Sequence, residues 1–504
     1  MYSFQQLASP QNLLSTLQEL RKQVQDEGQS AFNIWQPHIE RSDFFPSALN
    51  LACYLAFRHH DLREIQLALM PWGLSSLGRI ESRVLPNLDA VIATLKSICG
   101  QKYLGSPQLD SFFEGDHLLR LHTDELFGPP PPKRRVRIMV TLPTEAATNY
   151  SLVKEIIERG AKCLRINCAH DEPQVWQAMI DQIQKAEIEL ALSCKLMMDL
   201  GGPKIRTTDV LTPIAKERVF REDLILLSRM QNKYETTKLN STEIKHFQIC
   251  CSAPEVLGQL TLNSPVLIDD GKICTKVVST DYLFPDGQTG LLLQVTNTRP
   301  KGVKLQSQKG LNFPNTTICL SPLTVKDLSD LDFVATHADI IGYSFVQKTT
   351  DIQLLQQELK RRNVKKMPAI VAKIETAIAV SNLPELIVNA AGKQSFGVMI
   401  ARGDLAVEIG YQRLTEIQEE ILWLCEAAHV PVIWATQVLE SLVKNGAPSR
   451  SEMTDAAMAE RAECVMLNKG PFLCEAITIL NDVLGRMEEH QSKKTPQLRE
   501  LHSW

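Results

Sequence analysis

The sequence predicts an α/β protein: a TIM-type (β/α)8 barrel with an inserted small β-barrel lid domain and an N-terminal all-helical domain. Three observations carry this. From residue 136 onward, eight short runs rich in Val, Ile, Leu and Met alternate with amphipathic stretches, the pattern of buried parallel strands covered by helices. Eight such units suggest a closed barrel. The spacing is broken once, between the third and fourth runs, by about 100 residues of alternating apolar and polar segments. Before that, apolar residues recur at three- and four-residue intervals, as in amphipathic helices.

The elements follow in order. Residues 1–130 read as the helical domain, through LLSTLQELRKQVQ and ALNLACYLAFRHHDLREIQLALM. In WGLSSLGRIESRVL, Ser75 or Ser76 is expected to cap a helix containing Arg79 and Glu81. GPPPPKRRVR supplies Gly128, four prolines from Pro129 to Pro132, then Lys133, Arg134 and Arg135. It reads as a stiff spacer at a domain boundary, with its charges on a solvated edge. Barrel strands are expected in VRIMVT, AKCLRIN and CKLMMDL, then in DIIGYSF, PAIVAKI, FGVMIA, VPVIWAT and ECVMLN. The barrel takes residues 131–207 and 306–490, and the lid takes 208–305, with SPVLIDDGKICTKVVS and TGLLLQVTNT as strand-like segments. Residues 491–504 read as a polar tail.

A chain of 504 residues with 44% apolar and 22% charged residues is that of a globular protein of more than one domain. The net charge of -4 gives no global pull toward nucleic acid or an anionic membrane. The local cluster Arg58, His59, His60 and Arg63 is nearly balanced by Asp61 and Glu64, so no nucleic-acid partner is expected. Twelve cysteines without a CxxC pair fit reduced thiols. No apolar run reaches the roughly 18–20 residues of a membrane span, and MYSFQQLASPQNLL lacks a signal-peptide pattern. A cytoplasmic protein without a membrane partner is expected, and a homo-oligomer is left open.

In a parallel barrel the chemistry gathers at the C-terminal strand ends. Those ends carry Arg165 and Asn167, then Asp199, Ser344, Lys373 with Glu375, Arg402 with Asp404, and Thr436. One such residue is ordinarily a cap or a rim salt bridge, but charges at successive ends are hard to explain by packing. Glu375 and Asp404 are hard oxygen ligands suited to Mg²⁺ or Mn²⁺, whereas Arg165, Arg206 and Lys373 suit a phosphoryl group in transfer. Such transfer needs positioned charge more than covalent help. Gly403 and Asp404 stand where a helix starts, whose free N–H groups would receive a substrate carboxylate.

At these residues the sequence resembles pyruvate kinase. LRINCAHD, MMDLGGPKIRT, IDDGK, KGLNFP, VAKIET, VMIARGDLAVEIG and VIWATQVLES occur in that family's order over residues 136 to about 490. The resemblance implies transfer of the phosphoryl group of phosphoenolpyruvate to ADP, giving pyruvate and ATP. It implies that Glu375 and Asp404 bind the divalent metal, that Lys373 stabilises the moving phosphoryl group, and that Arg165 and Arg206 grip phosphate. Thr436 would lie beside the enolpyruvate. Gly403 and Asp404 would hold its carboxylate, with Ser344 and Lys309 also in the substrate site. Asp270 would sit on a turn of a lid closing over nucleotide.

Three departures modify the expectation. The family's C-terminal effector domain is missing after MLNKGPFLCEAITILNDVLGRM, so control by a sugar phosphate there is not expected. The loop after the eighth strand is the short Asn468–Phe472, and the first loop reads LPTEAA, which put proton delivery and nucleotide affinity in question. At the remnant of the monovalent-cation site, Asn167 and Asp199 remain, but Ala169 and Leu200 replace Ser and Thr. Lys204 stands where potassium-dependent relatives carry Glu. Potassium independence is expected, with the Lys204 ammonium substituting for the ion. The alternatives are a degenerate, metabolite-binding regulator, or the same chemistry on another enol phosphate or nucleotide.

Overall fold

The computed structural model of the chain describes residues 9–101, 108–213, 216–228, 246–283, 289–316, 318 and 320–497. Among the described residues five α-helices come first: α1 (Pro10–Trp35), α2 (Phe45–Arg58), α3 (Arg63–Leu69), α4 (Val84–Ile98) and α5 (Leu109–Phe127). Ser9 caps α1, its hydroxyl accepting from the Asn12 N–H at 3.2 Å, and Pro10 takes the first turn, where no N–H is needed. Leu13, Leu17, Leu20 and Val24 then form one buried stripe. Neither Ser75 nor Ser76 caps a helix: Ser75 closes a turn to the Leu77 N–H, and α4 starts only at Val84, after the 3-10 turn Glu81–Arg83.

Strands β1 (Arg137–Thr141), β2 (Ala161–Asn167) and β3 (Lys195–Asp199) open the barrel. A second sheet follows, made of β4 (Thr207–Leu211), β5 (Leu224–Ser228), β6 (Phe247–Cys251), β7 (Pro265–Ile268), β8 (Ile273–Leu283), β9 (Thr289–Thr298) and β10 (Leu311–Asn312). The barrel resumes with β11 (Ile340–Tyr343), β12 (Ala369–Ile374), β13 (Phe396–Ala401), β14 (Val432–Ala435) and β15 (Cys464–Leu467). The parallel order β1-β15-β14-β13-β12-β11-β3-β2 closes where Arg137 pairs with Cys464. All eight expected strands are present, and the (β/α)8 barrel, inserted sheet and leading helices match the predicted fold class. The second sheet runs β10-β7-β8-β9-β5-β6-β4. Its two edges meet again at the chain crossings, where the Thr207 N–H donates to Lys309 O at 2.7 Å and the Leu311 N–H to Ile205 O at 2.9 Å.

The helical region shares a hydrophobic core with the barrel. Leu13, Leu51 and Leu88 belong to one continuous buried core with Ile387, Ile421 and Val465. Leu126 and Phe127, at the end of α5, plug the N-terminal end of the barrel among Met139, Met197, Met399 and Met466. Gly115 lets α5 cross the Glu81–Arg83 turn, since a Cβ there would lie 1.9 Å from Ser82 O. His429, buried at the same junction, bonds Ser47 Oγ at 2.9 Å and Ser82 O at 3.1 Å.

Of the spacer's three cations only Lys133 is exposed, as a solvated edge would have it. Arg134 is 3% exposed and gives its guanidinium to Gly160 O (2.6 Å), Asn481 Oδ1 (2.7 Å) and Val136 O, because the chain enters the barrel wall here and leaves carbonyls to satisfy. The described part of the tail is not free either. Gln491–Ser492 and Thr495–Pro496 form a small hairpin whose Lys493 and Lys494 pair with Glu463 and Glu81. Residues 498–504 of the expected tail lie outside the described residues. In the Arg58–Arg63 cluster, Arg63 pairs with Asp61 at 2.6 Å and Arg58 lies over Trp423. No helix among the described residues is long and apolar enough to cross a membrane.

Candidate active site

The C-terminal ends of β2, β3, β11 and β12 bring five of the expected side chains, Arg165, Asp199, Ser344, Lys373 and Glu375, into one network. Arg165 donates through Nε to Asp199 Oδ2 at 2.9 Å and through Nη1 to Thr141 Oγ1 at 2.9 Å. Asp199 is 1% exposed. Lys373 Nζ lies 3.4 Å from Asp199 Oδ2, 3.2 Å from Glu375 Oε1, and donates to Ser344 Oγ at 2.7 Å. Ser344 Oγ in turn donates a hydrogen bond to Leu200 O at 2.8 Å. Close packing holds Asp199 in place, because a Cβ on Gly342 of β11 would sit 2.6 Å from Asp199 Oδ1.

The electrostatics follow from burial. For Lys373, burial favours the neutral amine, but Asp199 and Glu375 outweigh it and raise the pKa above the usual lysine value. Burial likewise works against the Asp199 carboxylate, yet Lys373 and Arg165 hold its pKa below the usual range. Glu375, 2% exposed, goes the other way: burial raises its pKa, and Asp404 adds to the rise against the opposing pull of Lys373. Its Oε2 accepts the Phe345 N–H at 2.6 Å. Phe345 is at φ +56°, so a strained loop residue aims that N–H.

Around this network lie the remaining predicted residues. Gly403 is in the first turn of the helix Arg402–Ile409, as expected, but its N–H is taken by Thr436 Oγ1 at 2.8 Å. Thr436 itself holds φ +64°, costly for a β-branched residue. Asp404 gives one oxygen to Lys204 Nζ at 2.7 Å. Lys204, expected as the cation substitute at the Asn167–Asp199 remnant, thus makes its ion pair with Asp404. Arg165 and Lys373 occupy Asp199 Oδ2, whereas Asp199 Oδ1 is buried without a hydrogen-bond partner. Asn167 accepts the Ala169 N–H through Oδ1 at 3.1 Å.

Arg402 does not face the basin. It pairs with Asp455, with Nη2 to Oδ2 at 2.9 Å, and stacks on Trp434, bracing the loop that carries Thr436. Arg206 and Lys309 stand at the two chain crossings to the inserted sheet, not in the buried network. Arg206 Nη1 reaches Gln308 O at 3.3 Å and Lys309 pairs with Asp269 at 3.6 Å. Asp270, at φ +54°, is on the adjoining turn. The imidazole of His170, after β2, is held below its usual pKa by burial and then by the charges of Lys469, Arg206 and Arg165, which places the short β15 loop at the same mouth.

Two functional contacts escape sequence reasoning. Thr141 looks like any buried strand residue, and the Phe345 amide is backbone, so neither carries a side-chain signal. The donor set fits a divalent cation. Glu375 is a desolvated carboxylate whose charge lacks full compensation, and Asp404 beside it keeps one oxygen apart from Lys204. Among the described residues no three acidic, His or Cys side chains converge on one ion, so the protein offers two ligands and leaves the rest to water and substrate, as Mg²⁺ sites commonly do.

Hard carboxylates thus lie beside buried cations at the C-terminal end of the barrel. A sequence model of the pyruvate kinase barrel domain matches residues 133–476. Pyruvate kinase of Dictyostelium discoideum is 28% identical over 361 residues, 70% of this chain and 66% of that protein. Pyruvate kinase PKLR of Rattus norvegicus is 30% identical over 405 residues, 77% of this chain and 65% of its own. Pyruvate kinase of Methylorubrum extorquens is 30% identical over 364 residues, 70% and 69% respectively. The chain belongs to the pyruvate kinase family, and it spans about two thirds of the length of these relatives.

Proposed function

We propose that the protein transfers the phosphoryl group of phosphoenolpyruvate to ADP, yielding ATP and, after protonation of the enolate carbon, pyruvate. The observation that supports this reading best is the Arg165–Asp199–Lys373–Glu375 network, which fixes a buried ammonium between two carboxylates at the barrel mouth. The P–O bond to the enol oxygen breaks as a nucleotide β-phosphate oxygen bonds to phosphorus. Lys373 and Arg165 offset charge on the moving group, and Arg206 meets it from the crossing to the lid. Glu375 and Asp404 would hold Mg²⁺ or Mn²⁺, which supplies Lewis-acid charge to the phosphoryl oxygens. Ser344 positions Lys373, and Thr436 and Gly403 shape the carboxylate end of the site. Lys309 anchors the lid return, whose closure excludes water. The same reading places the protein in the cytoplasm.

Potassium independence belongs to the proposal. Ala169 brings no hydroxyl to the Asn167–Asp199 remnant, and Arg165 and Lys373 already place two cations on Asp199 Oδ2, although its buried Oδ1 has no hydrogen-bond partner. The test is a coupled assay of the full chain with phosphoenolpyruvate, ADP and Mg²⁺ in a tetramethylammonium buffer, repeated with other nucleoside diphosphates and with added potassium. Turnover without potassium is expected, and strong activation by potassium would overturn that part. One observation favours a second reading, a metabolite-binding regulator: the Lys204 ammonium competes with metal for Asp404. Absence of turnover with phosphoenolpyruvate binding intact would select it.

A further inference from the structure

A cavity of about 780 Å³ lies at the opposite end of the barrel from the site above, between α4, α5, the starts of β1 and β15, and the C-terminal hairpin. We propose that it binds a small phosphate monoester whose ester carries a flat, ring-like body with a hydrogen-bond donor. The volume falls in the usual range for small-molecule sites.

The charge of the walls sets the anion. Arg83 pairs with Asp116, Arg137 with Asp124, Arg135 with Glu460 and Lys493 with Glu463, so these four cations are compensated. Arg79 and Arg120 also line the cavity and have no acidic partner among the described residues. Two uncompensated guanidinium groups match the charge of about -1.5 to -2 of a phosphate monoester near neutral pH, and their planar forks suit its oxygens. Glu426 lies on the same wall, and burial pushes its carboxyl up to about 7, which weakens its opposition to an anion.

Two other observations describe the body of the ligand. Arg83 lies over both Phe112 and Phe113, 5.0 Å from each ring centre, and Phe113 is half exposed, leaving an aromatic face for stacking. Asn87 is 7% exposed, and its Oδ1 is buried without a hydrogen-bond partner. A buried acceptor of this kind costs free energy unless a donor reaches it, and Asn87 is one of the residues that line this cavity.

The test is calorimetric titration of the full chain with 4-aminophenyl phosphate, phenyl phosphate and inorganic phosphate. The expected order of affinity is the same, with each step measurable. Replacing both cations (Arg79→Gln with Arg120→Gln) should weaken 4-aminophenyl phosphate at least about tenfold, the scale of a lost charge-assisted contact. Asn87→Leu should erase the difference between the aminophenyl and phenyl esters while leaving both bound. Lys373→Met, in the barrel mouth, should change none of these affinities. The proposal is overturned if wild type binds neither ester, or if Lys373→Met abolishes binding that the double arginine variant retains.

Discussion

Lys373 neutralises two buried carboxylates in the resting protein and, in the proposed reaction, the phosphoryl group in flight. Lys373→Met should therefore lose both roles. Turnover should fall at least about 10³-fold, in line with the loss of a preorganised electrostatic contact. Stability should fall by about 3–5 kcal/mol, the cost of stranding a buried charge, and urea unfolding followed alongside the coupled assay separates the two effects. Near-wild-type turnover would remove Lys373 from the mechanism. Glu375→Gln keeps the shape and an acceptor for the Phe345 N–H but replaces an anionic ligand by an amide, so the midpoint of a Mg²⁺ titration should rise severalfold. An unchanged midpoint would take Glu375 off the ligand list. At this scale the strand-end charges were legible, because side-chain chemistry is written in the sequence. The partner of Lys204 was not, since which carboxylate the ammonium meets is decided in three dimensions.

At the scale of elements, the strands were read correctly because buried β-branched runs such as AIVAKI leave little alternative. The docking of α5 was not, because its apolar residues look like those of any amphipathic helix. Only the structure shows that Leu126 and Phe127 finish the barrel's interior. Phe127→Ala should consequently cost about 3–5 kcal/mol, the range for emptying a large core side chain, and the whole barrel should share the loss. Chemical denaturation read at Trp434, inside the barrel wall, should move to lower urea by the full amount. A shift confined to the helices, with the Trp434 transition unmoved, would mean that the plug is not part of the barrel core. Arg134 was misread for a similar reason: a run of cations gives no hint of the carbonyls that surround one of them.

For the molecule as a whole, the junction between helices and barrel carries two titrating groups of opposite effect. Burial lowers His429 from an ordinary value of 6.5 to about 4. Its folded form thus binds fewer protons than the unfolded chain, and its contribution is full above pH 6.5 and is lost as pH falls toward 4, by up to about 3 kcal/mol. Burial raises Glu426 to about 7, so that group contributes in the reverse sense, losing stability as pH climbs through the same window. Between pH 4.5 and 6.5, the span common to both shifts, these two contributions should nearly cancel. His429→Asn should then expose the Glu426 slope, losing stability relative to wild type as pH rises there; a variant whose pH profile parallels wild type would contradict the pairing. The plug at Phe127 also has a consequence in time. Its last wall, β15, is synthesised about 340 residues after Phe127 itself. At the usual elongation rate of about 5–20 residues per second, that apolar end waits roughly 20–70 s at the ribosome before the barrel can close around it.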